Sequence, residues 1–133
     1  MDESTDRFPL AAVYSMLVLL GAALAVWGAF LVPLRLPGGV EGLADIIAFA
    51  GNLGVGLLAV RGTRTVQAAL MPGLGWLVTV LVLLTVARPS GEVIIPGGLG
   101  DDPGIGVVGT VFLFAGAGGA VLAGLLGGRR RPG

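Results

Sequence analysis

The hydrophobic positions of this chain gather into four long runs, at 9–34, 43–60, 66–87 and 105–126, and the short segments between them hold every charge except Asp45. A hydrocarbon core ~30 Å thick is crossed by about 20 apolar helical residues. Each run reaches or approaches that length. The pattern therefore predicts an all-α protein, a four-helix transmembrane bundle with spans at about 9–34, 43–60, 66–87 and 104–127.

Proline and glycine punctuate the runs where helices should start and stop. Pro9 occupies a first-turn position, where proline is tolerated, and Pro33 and Pro37 with Gly38 and Gly39 close the first span. The second is entered through Gly38, Gly39 and Gly42, with Asp45 in its first turn, where a carboxylate faces the positive end of the helix dipole. The short turn at 61–65 makes the second and third spans antiparallel neighbours. Pro72, inside the third span, removes a backbone hydrogen bond and predicts a kink. Arg88 and Pro89 end that span, and the glycine- and proline-rich stretch at 88–104 is an outer loop. A secretory signal is a poor reading of the first run, because a signal has an apolar region of about 7–15 residues behind a net positive arm. Here Asp2, Glu3 and Asp6 outnumber Arg7.

Composition agrees with hydrocarbon as the solvent. Apolar residues make up 55% of the 133 and charged residues 12%, with a mean hydropathy of +0.96; soluble domains carry roughly 25% charge. The length allows one domain, residues 1–133, comprising an arm at 1–8, the bundle, the outer loop and a basic tail at 128–133. With no cysteine and no histidine, disulfides, thiolate metal sites, thiol catalysis and the commonest general base and zinc ligand are excluded.

The net charge of zero conceals an asymmetry. With four crossings, Arg7, Arg61, Arg64, Arg129, Arg130 and Arg131 fall on one side, and Arg35 and Arg88 on the other. Arginine accumulates on the cytoplasmic side of short loops, so both termini are expected in the cytoplasm, with Arg61, Arg64 and the terminal triplet as topology anchors. All eight basic residues are arginine, a bias that accompanies high-GC bacterial genomes, and the expected location is a bacterial cytoplasmic membrane.

Glycine, at 25 residues, is the second signal. Small residues let helices approach closely in lipid and gain van der Waals contact. The fourth span carries Ala115 with Gly119, Gly116 with Ala120, Ala120 with Gly124 and Gly124 with Gly128; the second carries Ala48, Asn52, Gly56 and Ala59 on one stripe. Both stripes should face inward. The run midpoints put Asn52 and Trp76 at one mid-membrane level, although tryptophan prefers the interfacial belt and an amide in hydrocarbon seeks a partner. Asn52 is therefore expected in the bundle interior with Trp76 packed close to it, the indole N–H being a candidate donor to the amide. Gly21 to Ala23 and Gly116 to Gly119 would make the room.

The remaining polar residues offer less chemistry. Ser15, Thr79, Thr85 and Thr110 can bond their own i−4 carbonyls. Asp101 and Asp102 could attract a divalent cation, but calcium requires six to eight oxygens in an ordered loop, and a solvated acidic turn is the simpler reading; no metal and no cofactor is expected. Proton-coupled transport needs an ionisable residue within the membrane, and only Asp45, near an end, qualifies. The glycines follow no strand that would make them a nucleotide-binding fingerprint. Neither catalysis nor nucleic-acid binding is expected.

The stretch 73–98, with GWLV at 75–78, ARPSGEVIIPGG at 87–98 and a glycine-rich final span, resembles a family of small four-helix membrane proteins of unknown function from actinobacteria. Its most specific elements are Arg88, Pro89, Gly91 and Glu92. The resemblance implies a fold and a cell-envelope location and carries no site residues. Two classes of function remain: an accessory or scaffold protein, bound to the lipid bilayer and to a membrane-protein partner or a second copy, and a small oligomeric channel or transporter with Asn52, Thr79 and Gln67 along its path. The first predicts a closed interior, the second a polar route from Asn52 to water.

Overall fold

The computed structural model describes residues 9–31, 42–85 and 103–129, with backbone alone at 103–108. These residues form four helices and no strand: α1 (Leu10–Leu31), α2 (Leu43–Thr63), α3 (Gln67–Thr85) and α4 (Pro103–Gly128). Each is long and apolar enough to cross a membrane. The sequence places the ends of α1 and α3 at 34 and 87, and residues 32–34 and 86–87 lie outside the described set, as do the loop at 88–102, with Asp101 and Asp102, and the anchors Arg130 and Arg131.

Two boundaries follow from local chemistry. The second helix runs past residue 60 to Thr63 because its last turn is capped in two ways: Arg64 adopts the left-handed conformation (φ 59°) and its N–H bonds the Val60 carbonyl, while the Thr63 hydroxyl donates to Ala59 O at 2.8 Å. This is an αL termination with a non-glycine residue, a costly backbone state. At the other end Gly42 enters α2 at φ 101°, where a side chain would be strained.

The bundle reverses the usual placement of large and small side chains. Among the described residues nine of the twelve buried apolar ones are alanine, whereas Trp27 and Phe30 are 63% and 65% exposed. In water such a surface would drive association; in hydrocarbon there is no gain from hiding it, and close backbone approach becomes the main source of cohesion.

The order of helices around the bundle is α1, α3, α4, α2, with α2 and α3 also touching across the short diagonal and, among the described residues, no backbone approach between α1 and α4. The neighbours α1 and α3 run parallel: Tyr14 meets Thr65, and Gly21 meets Pro72. So do α2 and α4, where Gly119 meets Phe49, Gly56 meets Ala123 and Gly127 meets Val60. Contacts between α3 and α4 run the other way, with Gly73 against Ala120, Gly116 against Trp76 and Gly124 against Leu70. The closest backbone contact is between α1 and α3. A Cβ on Gly21 would collide with the Pro72 carbonyl, and one on Gly75 with the carbonyl of Val18, so each helix presses a carbonyl onto the other's glycine.

Candidate functional site

The inward stripe of α2 is Ala48, Asn52, Gly56 and Ala59, all buried. Asn52 is 0% exposed, the only polar or charged residue among the described residues to be buried. Its amide nitrogen donates to Ala48 O at 3.0 Å, one turn back along its own helix. That bond satisfies part of the amide, but Oδ1 is buried without a partner.

Trp76 lies at 1% exposure in the interior of α3. It shares a core cluster with Ala25, Ala29, Ala44, Ala48, Val80 and Phe112, and its ring is tilted 52° against Phe112 with centroids 4.7 Å apart. This is a favourable offset arrangement for two aromatic quadrupoles. Phe112 in turn reaches Gly28 of α1, where a Cβ would come within 2.9 Å of its ring. Two aromatic side chains thus fill the region where α1 and α4 do not meet through backbone. Gly116 is the floor of the indole, since a Cβ there would overlap Nε1 and Cε2.

Register places Asn52 and Trp76 within one turn of each other along the bundle axis. Gly119 of α4 faces Phe49 and Leu53, on either side of Asn52, while Gly116, three residues earlier, carries the indole. The candidate hydrogen bond between them is not formed. Trp76 Nε1 and Asn52 Oδ1 are both buried and both unpartnered; the indole edge is turned to Gly116, and the tight Gly119 contact holds α2 by its backbone. Depth matching identifies the level, and side-chain orientation, set by α4, decides the contact.

The inward stripe of α4 is narrower than the spacing of small residues suggests. Gly116, Gly119, Ala120 and Gly124 are buried, but Ala115 is half-buried and Gly128 exposed. Gly128 lies past the last helix contacts, where Val66 is only at van der Waals range. Among the hydroxyls, Ser15 donates to Ala11 O, whereas Thr85 donates to Val82 O, three residues back and not four, as the tighter geometry of a helix end allows.

Another cluster is one that sequence spacing does not reveal. Thr63 spends its single hydroxyl hydrogen on Ala59 O, so it accepts from the Thr65 hydroxyl at 3.0 Å and from the Thr65 amide at 3.2 Å. Thr65 then has no hydrogen left, and the Tyr14 hydroxyl, 3.0 Å away, is the donor to it. The result is a directed chain from Tyr14 through Thr65 and Thr63 to a helix carbonyl, tying α1 to the α2–α3 turn. The anchors Arg61, Arg64 and Arg129 are exposed at this same end of the bundle. At the other end of α2, Asp45 is half-buried with Oδ1 unpartnered. Among the described residues there is no group of three acidic, histidine or cysteine side chains that could hold a metal ion.

The sequence model of DUF6113, a family of unknown function, matches residues 4–133. No curated protein matches the chain, and no solved structure does.

Proposed function

Because the chain belongs to DUF6113, a family whose function is unknown, we propose its role from the bundle alone: an accessory or scaffold component of a bacterial cytoplasmic membrane, with both termini in the cytosol, acting through contact and not through catalysis or conduction. The observation that carries this reading is the burial of Asn52. A channel through one bundle would need this amide to communicate with water, and it has no exposed surface; Gln67 is exposed only at the start of α3 and Thr79 is half-buried. The arginine-bearing end that holds Arg61, Arg64 and Arg129 supports the cytosolic placement, since arginines are retained on that side. Its working surface is the outer face of the bundle, against the lipid bilayer and a membrane-protein partner or a second copy of this chain.

Affinity purification of the tagged chain from native membranes in mild detergent tests the proposal. A companion membrane protein recovered at fixed stoichiometry is expected. Recovery as a homo-oligomer that conducts ions in liposomes would overturn it in favour of the channel reading, with the path then running between subunits.

A further inference from the structure

The interior holds one donor and one acceptor that match in chemistry, lie at one level and do not meet. Trp76 Nε1–H and Asn52 Oδ1 are both buried and unpartnered, and the Gly116 and Gly119 contacts set them within about one helical turn, or ~5 Å along the axis. Both residues are buried, at 1% and 0% exposure, so bulk solvent does not complement either group in this packing. Two orphaned polar groups in hydrocarbon are costly, and an isosteric apolar pair would pack the same space without that cost. The pair is thus unexplained by the arrangement shown.

The third helix has the means to reach another arrangement. Pro72 has no N–H for the Ala68 carbonyl and sits four residues before Trp76, followed by Gly73 and Gly75. A proline with neighbouring glycines is where helices bend. The residues beyond it, from Trp76 to Thr85, carry exposed Val78, Leu81 and Val82, which slide against lipid without loss of contact. We propose that α3 is a two-position element hinged at Pro72, and that its second position joins the Trp76 indole N–H to the Asn52 side-chain carbonyl. In the first position the glycine contacts of α3 with α1 and α4 are complete and the polar pair is open; in the second the pair is closed and those contacts loosen. Each position satisfies what the other leaves unsatisfied, which is the requirement for a bistable element. The device does not depend on whether the bundle serves a partner.

Relaxation dispersion on the indole 15N–1H group of Trp76 tests it, in lipid nanodiscs and in a Trp27→Phe background, which leaves one tryptophan. A measurable microsecond-to-millisecond exchange contribution is expected in this parent. Asn52→Leu should abolish it by removing the acceptor, and Pro72→Ala, which restores the helix bond at the hinge, should reduce it at least severalfold. A flat profile in the parent would overturn the proposal, and so would exchange unchanged in Asn52→Leu. An indole resonance that moves upfield in Asn52→Leu with no dispersion in the parent would mean a permanent bond, and equally sinks the two-position reading. The Pro72→Ala variant reads the hinge independently of the acceptor.

Discussion

Substituting Gly75 by alanine should separate α1 from α3. The added methyl would fall on the carbonyl of Val18, with Ala22 N 3.1 Å away, and both are backbone atoms of a helix that cannot rotate aside. Relief requires the two helices to part by roughly 1 Å or more, since a comfortable carbon-to-oxygen contact is about 3.3–3.6 Å. A gap of 0.5–1 Å forfeits a quarter to a half of the dispersion energy of the atoms facing it, and overpacked interiors lose about 1–3 kcal/mol. Alanine gains up to about 1 kcal/mol over glycine in helix propensity, so the net expected loss is about 1 kcal/mol and at most about 2 kcal/mol. Gly54→Ala is the control, because nothing lies within 4 Å of a Cβ there, and it should be neutral or more stable by up to about 1 kcal/mol. Reversible unfolding in mixed micelles, followed by tryptophan fluorescence and far-UV circular dichroism, gives both values. Gly21→Ala should behave like Gly75→Ala, and the double variant should fall short of the sum by about 1 kcal/mol or more, because one separation relieves both collisions. The reasoning is refuted if Gly75→Ala and Gly54→Ala unfold at the same midpoint, or if the double variant is strictly additive.

Other substitutions probe the remaining parts of the bundle. Asn52→Leu removes an unpartnered buried acceptor and should raise stability by about 1 kcal/mol in the same unfolding assay; a loss of that size would mean that Oδ1 is bonded. Tyr14→Phe deletes the first donor of the hydroxyl chain and should cost ~0.5–1.5 kcal/mol, with faster amide exchange at Thr65, whereas unchanged exchange there would show that the tie is not made. Gly62→Cys, at an exposed position in the last turn of α2 of a chain with no other cysteine, should react with a membrane-impermeant maleimide only after cells are opened. Labelling in intact cells would invert the orientation. Gly116→Val should displace the indole, since a Cβ already overlaps it, and shift Trp76 emission in the Trp27→Phe background; an unmoved spectrum would remove Gly116 as the floor of the site.

The number of helices, their approximate bounds and the solvent in which they fold were legible in the chain, because a run of about 20 apolar residues has one cheap solution in lipid. The burial of Asn52 was legible for the same reason: an amide has nowhere else to go. Gly75, Phe112 and the Tyr14 chain were not. A glycine inside an apolar run carries no mark of its contact until a carbonyl from another helix is found against it, as Val18 O is against Gly75, and Tyr14 and Thr65 are 51 residues apart with no shared motif.

Hydropathy is a property each segment has by itself, and so the sequence determined that this protein has four apolar helices, with arginine gathered on one side of their presumed crossings. Which helices are neighbours is a different kind of quantity. Between apolar helices in lipid no hydrophobic drive selects partners, and the choice falls to shape: which glycine meets which carbonyl, and which aromatic ring fills the space left over. Only the tertiary structure decided that α1 pairs with α3 and α2 with α4, and that the Trp76 indole turns to Gly116 and leaves Asn52 unbonded.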